Sequence, residues 1–337
     1  MTYGVLITRD RTKNKIYLHV QYQLLYRTVP VPNRYIVLPG TILTRQCCMR
    51  FSALYGTYLC LRKDFDIRQS SRPYEFSLEV IIMTVQLYSS WFCPYAQRVW
   101  CALNEYGVSY DLIESFRLDP ETHHYIKIPE LLKYNPKGLV PTLVELKSDE
   151  EQLVKCESLD ILKDLCSTYV NEEEAERQIL DCEIFNRSIC SPFYRVLMKH
   201  DPDERLQAWN EMLRGLESYS TELFWENKGS NSISFFKGAT DRPTIVDLAV
   251  FPWVHRLFIL DHFKSLSIHG KEGAMMSKEG REKIMKWKSK MESHPSVKTT
   301  LAQPDKLIPV YIRYANGTAN SKVGDAVRSG KEAHDAK

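Results

Sequence analysis

The sequence predicts a mixed α/β domain over residues 83–170 followed by an all-α domain over 171–315. Three observations carry this. From Met83 onward, short alternating strand patterns and helical patterns follow one another with Gly and Pro punctuation. From Glu172 onward the periodicity is helical alone. A chain of 337 residues, 44% hydrophobic and 26% charged, has material for two cores of ordinary composition.

Val85–Tyr88 alternates as a first strand. Pro94 to Tyr106 reads as a helix, with Pro in its first turn and Gly107 as a left-handed stop. Ser109–Ile113 alternates as a second strand, and Pro129–Tyr134 is a short helix. Pro141–Leu146 and Gln152–Cys156 form a hairpin across a polar turn at 147–150. Ser158 to Tyr169 closes the domain as a helix with Leu159, Leu162 and Leu165 on one face.

In the second domain, Glu172–Glu174 favour a helix N-terminus, and the helix should run toward Met198. Asp201 or Asp203 caps another toward Trp225. Asn227–Arg242 is rich in Gly, Ser and Asn and reads as a loop. Thr244 and Asp247 form a capping box that opens a helix to His262, apolar nearly all round and therefore central. A last amphipathic helix covers Lys278–Met291. Residues 316–337 form a polar tail that should fray.

Residues 1–82 read differently. Their apolar runs, such as Tyr35–Leu38 and Leu59–Leu61, keep no period, and they carry twelve Lys or Arg against five Asp or Glu. This extension is disordered, a presequence, an artefact of the gene model or an ordered extra unit; Cys47 and Cys48 within it receive no role. The rest of the chain carries 33 basic and 37 acidic residues, which speaks against a nucleic-acid partner. No apolar run reaches the roughly 18 residues of a membrane span. Nine cysteines without a signal-peptide pattern point to free thiols in a reducing compartment, hence a cytoplasmic protein. His123–His124 lack partners at metal spacing, so no metal is expected.

The candidate chemistry begins at Cys93-Pro94-Tyr95-Ala96, between a strand and the first turn of a helix. A sulfur there faces unpaired backbone N–H groups and the positive end of the helix dipole, with Arg98 one turn on; all favour the thiolate nucleophile. With Ala96 where a second cysteine could stand, a mixed disulfide on Cys93 would need an external thiol to resolve it. In Gly138-Leu139-Val140-Pro141, a proline opening a strand leaves the Val140 backbone free for an extended peptide, through both its polar groups if the peptide bond is cis. Glu157-Ser158, at a helix start, suits an α-amino acid head: carboxylate on Ser158 and the helix amides, ammonium on Glu157. Each feature has a plain structural reading too: a packed thiol, an ordinary loop proline, a simple cap. Jointly they suit a small thiol peptide.

Leu87 through Tyr95, Asn135 through Pro141, Asn231–Ser234 and Asp247 through Arg256 resemble the omega class of glutathione transferases. The resemblance implies a thioredoxin-like domain followed by a transferase-type helical domain. It implies glutathione as co-substrate, small oxidised or electrophilic second substrates, thiol transferase and dehydroascorbate reductase activity, and a homodimer. Cys93 matches the mixed-disulfide cysteine, Val140 the residue before the cis-proline, and Glu157 with Ser158 the γ-glutamyl site. Tyr95 joins this glutathione set with Pro141, and Lys127 is the nearest counterpart of a lysine that meets the glycine carboxylate. Tyr194, Trp253 and Arg256, with Tyr95, are candidates for the electrophile pocket. The rivals are a glutathionyl-hydroquinone reductase, which usually has tryptophan where Tyr95 stands, and a non-catalytic carrier or relative of the chloride channels.

Overall fold

The computed structural model describes residues 4–10, 15–21, 76–80, 84–119, 125–146, 152–226, 232–271 and 275–335. Cys47, Cys48, the runs at Tyr35 and Leu59, His123, His124, the turn at 147–150 and the opening of the 227–242 loop lie outside the described residues. The chain divides into two units, Met1–Thr84 with Glu145–Gln152, and Val85–Val144 with Leu153–Lys337. In the first, β1 (Gly4–Asp10), β2 (Lys15–Gln21) and β3 (Phe76–Val80) form an antiparallel sheet in that order, with Ile7 opposite Leu18 and Leu18 opposite Leu78.

The second sheet has the order β5-β4-β8-β9, built from β4 (Thr84–Ser89), β5 (Asp111–Glu114), β8 (Thr142–Leu146) and β9 (Gln152–Lys155). The two strands β4 and β5 run parallel, Leu87 beside Leu112, as a crossover through helix α1 (Pro94–Glu105) requires. Gly107, at φ +62°, follows that helix in the left-handed region and turns the chain toward β5. Val85 and Leu87 from the sheet, Val99 and Leu103 from α1, and Ile161 from α3 (Ser158–Ser167) share one core cluster. Between them lie β6 (Phe116–Leu118) and β7 (Tyr125–Lys127), an antiparallel pair, and α2 (Pro129–Tyr134). Strands of three residues are too short to leave a period in the sequence, which is why that pair goes unread there.

The helical part starts as the sequence predicts and then departs from it. Asn171 caps α4 (Glu172–Phe185), accepting from Glu174 N–H at 2.8 Å, and Glu172, Glu173 and Glu174 fill its first turn. The expected single helix to Met198 is interrupted by a π-helical turn, Asn186–Cys190, before α5 (Ser191–Met198). Pro192 in the first turn of α5 has no N–H to give and crowds the carbonyl four residues back, so the register widens there. Asp201 caps α6 (Pro202–Thr221) with 2.9 Å bonds from Asp203 and Glu204 N–H. Thr244 caps α7 (Ile245–His255) through the expected capping box, and every residue of that helix is buried. At Arg256 the backbone tightens to bond Trp253 O at 3.0 Å, separating α7 from α8 (Leu257–Lys264).

Beyond it come α9 (Lys278–Ser293), α10 (Pro295–Lys298), α11 (Pro304–Ala315) and α12 (Lys322–Arg328), then a single turn at Ala333–Asp335. This last segment packs, contrary to the expected fraying. Ala319, Ala326, Val327 and Ala333 are buried, Ser191 Oγ donates to Glu332 at 2.8 Å and Arg195 pairs with the same carboxylate at 3.3 Å. Small apolar residues among polar ones bury a stripe that average polarity conceals.

Candidate active site

The chain leaves β4 at Ser89 and turns so that Cys93 N–H donates to Ser90 O at 3.0 Å. Cys93 is then the N-cap of α1, in extended conformation, and its carbonyl accepts from Gln97 N–H at 3.0 Å. Its thiol is half-buried and lies 3.9 Å from Val140 O. The amides of Ala96 and Tyr95 and the guanidiniums of Arg256 and Arg98 all lower the thiol pKa, in the sense that the helix-start argument expects. Burial outweighs them, however, and pushes the Cys93 thiol above its ordinary value. Desolvation of a sulfur set below the protein surface thus opposes the dipole and the two cations that the helix start brings to it.

Val140 is presented by a loop that Asn135 organises. The Asn135 side-chain amide donates to Leu139 O and Thr142 Oγ1, both at 3.1 Å, and its oxygen accepts from Lys137 N–H at 3.1 Å. Gly138 sits at φ +61° against Lys127; a Cβ there would fall 2.6 Å from Lys127 Cδ and 2.8 Å from Nζ. Lys127 Nζ donates to Lys137 O at 3.2 Å, and burial with the nearby Lys322 ammonium lowers its pKa. The Val140–Pro141 bond is cis. Across from this loop, Glu157 is the N-cap residue of α3, and the Ser158 hydroxyl accepts from Arg98 at 3.4 Å.

One cavity of about 1000 Å³ has Cys93, Tyr95, Lys127, Val140, Pro141, Glu157 and Ser158 in its walls. Tyr194, Trp253 and Arg256 are not among them. Each is buried, Tyr194 in α5, Trp253 in α7 and Arg256 between α7 and α8. Arg256 donates to Gln97 Oε1 at 2.6 Å, Pro252 O at 2.7 Å and Phe92 O at 3.3 Å, tying α7 to the turn before Cys93. Trp253 meets the Tyr95 ring edge-on at 4.8 Å, and Tyr194 lies parallel to it at 6.5 Å. Aromatic and basic residues in a helix carry no mark in the sequence that separates wall from support.

The cavity has walls the sequence reading missed. Phe92, Phe116 and Tyr125 form an aromatic side, with ring centroids 4.6 Å apart for Phe92 and Tyr125. Cys156 adds a second thiol to the same walls. Tyr314 of α11 and Asn320 to Val323 of the C-terminal segment add another side, held in part by a 3.0 Å bond from Tyr314 OH to Ser321 Oγ. Phe92 beside Cys93 was a usable signal; α12 left only the cap-like Ser321. Among the described residues no group of His, Cys, Asp and Glu could hold a metal ion, and no helix is long and apolar enough to cross a membrane.

Comparison with known proteins fits this geometry. Residues 92–168 match the N-terminal domain of glutathione S-transferases. Mouse (Mus musculus) glutathione S-transferase omega-1 is 26% identical over 183 residues, covering 52% of this chain and 68% of the relative. The chain is related to the omega-class glutathione transferases. Pyrimidodiazepine synthase of Drosophila melanogaster is 29% identical over 187 residues, 52% of this chain and 66% of that protein. Among solved structures, glutathione transferase Omega 3C from Trametes versicolor superposes with a TM-score of 0.51 at 22% identity, over 68% of this chain and 89% of that one. Rice GST1 in complex with glutathione superposes with a TM-score of 0.52 at 19% identity, over 68% and 95%. The fold of this omega-like chain is thus a thioredoxin-like domain followed by a transferase-type helical domain.

Proposed function

We propose that this protein is a glutathione-dependent thiol transferase and dehydroascorbate reductase with Cys93 as nucleophile. One observation carries the reading: the thiol, the Val140 carbonyl and the Glu157–Ser158 pair line a single cavity, and a γ-glutamyl tripeptide offers sulfur, backbone and an amino-acid head to match them. Lys127 is the proposed partner of its glycine carboxylate, and the cis Val140–Pro141 turn the partner of its backbone.

In the proposed cycle the Cys93 thiolate attacks the glutathione sulfur of a glutathionylated substrate. The S–S bond breaks, the substrate leaves as its thiolate and takes a proton, and Cys93 carries glutathione as a mixed disulfide. A second glutathione thiolate attacks that disulfide, forming oxidised glutathione and returning the Cys93 thiolate. With dehydroascorbate, two glutathiones are oxidised to one disulfide while the acceptor takes up two electrons and two protons. The burial that raises the Cys93 thiol favours one second reading, a non-catalytic carrier of the same fold.

The proposed homodimer has support in α4, where Leu180 is 61% and Ile184 56% exposed one turn apart. Six free cysteines among the described residues suit a reducing compartment, the proposed cytoplasm.

The test is intact mass with peptide mapping after brief exposure to oxidised glutathione, on the protein and on Cys93→Ala. The transferase reading expects one glutathione on Cys93, removed by reduced glutathione and absent from the variant. No adduct at Cys93, or adducts spread over several cysteines, would overturn it in favour of the carrier.

A further inference from the structure

Arg98 is a charge out of place. It is 1% exposed, yet no carboxylate among the described residues pairs with it. Its Nε donates to Ala249 O at 2.7 Å; NH2 donates to Asn186 Oδ1 at 2.7 Å and contacts Cys190 Sγ at 3.3 Å; NH1 donates to Ser158 Oγ at 3.4 Å. A guanidinium has five N–H donors, so one NH1 hydrogen has no partner among the described residues. All the acceptors it does reach are neutral. The Trp253 and Tyr95 rings, 4.2 and 5.3 Å from its carbon, return some of the lost hydration.

A buried cation without a counter-charge is costly, and the cost is tolerable where a ligand supplies the missing charge. Arg98 lies in the wall of the Cys93 cavity beside Ser158. The walls of that cavity also carry Glu157 and Asp160 at the start of α3, Glu183 of α4 and Arg187 of the π-turn. The three carboxylates suit an ammonium group and Arg187 is exposed to solvent, so Arg98 is the buried cation left for an anion to complete.

We propose that Arg98 is a positioning residue for the α-carboxylate of a γ-glutamyl ligand, acting through the Ser158 hydroxyl. The proposal rests on glutathione being the ligand. By accepting from Arg98, Ser158 turns its own O–H outward as a donor, and the ligand carboxylate completes the charge pair through it. The amino-acid head is thereby read by a charge on α1, the helix that also begins at Cys93.

The experiment is calorimetric titration with two peptides that cannot exchange with Cys93. One is S-methylglutathione; the other is the same peptide with its first residue replaced by 4-aminobutyrate, which keeps the ammonium and lacks only the carboxylate. The native protein should prefer the first at least tenfold. Arg98→Met should reduce that preference to within about twofold, Arg98→Lys should retain part of it, and Arg187→Ala should leave it whole. Retention of the full preference in a folded Arg98→Met, or its loss in Arg187→Ala, overturns the proposal. Should Arg98→Met not unfold cooperatively, Arg98→Lys and Ser158→Ala decide: the preference must fall in both, and an unchanged preference overturns the proposal equally. Equal binding of both peptides by the native protein would overturn Arg98 while leaving glutathione as ligand. Binding of neither would remove the glutathione reading itself.

Discussion

The sulfur of Cys93 lies 3.9 Å from the carbonyl oxygen of Val140, a residue 47 positions further along the chain. A thiol can donate weakly to that carbonyl, whereas a thiolate would face its negative end, so the contact and the surrounding burial act in the same direction. Because burial raises the Cys93 thiol despite Arg256 and Arg98, its reactive form should accumulate only above the ordinary thiol range of about 8.5. Iodoacetamide alkylation of Cys93, followed by mass spectrometry from pH 6 to 11, should therefore rise with a midpoint above that value. A midpoint near 6 would show that the helix start and the two arginines dominate instead.

The buried thiols away from the site make a second prediction, about stability. Burial pushes Cys190 up to about 11 and Cys101 up to about 12. In the unfolded chain both would ionise near 8.5, so above that pH the unfolded state loses protons that the folded state keeps. Their contribution to stability is whole below about 8.5 and is lost as pH rises from there toward the folded values. By pH 10 the loss should approach roughly 2 kcal/mol for each thiol. Urea unfolding at pH 8 and pH 10 measures it, and Cys101→Ala with Cys190→Ala should remove the share of these two thiols, leaving that of the buried Cys182, whose thiol burial also raises.

Asp247 carries the third. Its fully buried carboxylate accepts from Thr244 N–H at 2.8 Å, Thr244 Oγ1 at 2.7 Å, Phe236 N–H at 3.0 Å, Tyr219 OH at 2.9 Å and Trp287 Nε1 at 2.7 Å. It thus joins α6, α7 and α9 as well as capping one of them. Asp247→Ala leaves all these donors without an acceptor and should cost about 4 kcal/mol or more. Asp247→Asn keeps one oxygen but turns an NH2 toward other donors, and should cost about half as much. Denaturant midpoints check both, and a loss below about 1 kcal/mol for Asp247→Ala would mean water takes over the acceptor role.

The capping half of Asp247 was legible in the sequence, since Thr-x-x-Asp ahead of an apolar run is a local pattern. Its bonds to Tyr219 and Trp287 were not, because they join residues 28 and 40 positions away. The same division holds at the site. Cys93, Val140 and Ser158 each begin a helix or strand, where local residue types announce exposed backbone groups. Arg256 and Trp253 lie in one helix with the same apolar surroundings as any core residue, so which side of the cavity wall they occupy is set by tertiary packing. The π-turn ahead of α5 falls between: Pro192 marks a break, but only the packed helix shows that the chain widens there instead of stopping.

The C-terminal segment supplies the last prediction. Asn320 to Val323 stand in the wall of the cavity that holds Cys93, and Ser321 accepts from Tyr314 OH at 3.0 Å. The segment is held down at its far end, where Ser191 and Arg195 of α5 share the Glu332 carboxylate and Ala333 N–H donates to Ser191 Oγ at 2.9 Å. Desolvation is the largest influence on the Cys93 thiol, so removing part of the wall should lower the thiol toward the ordinary value. Deletion of residues 319–337 should bring the alkylation midpoint of Cys93 down and speed the reaction at pH 8 several-fold. Glu332→Ala, which frees the anchor but leaves the wall in place, should shift both in the same direction by less. Circular dichroism on both variants separates this effect from global unfolding. A truncated, folded protein whose Cys93 midpoint does not move would mean that α1 and the Val140 loop bury the sulfur by themselves.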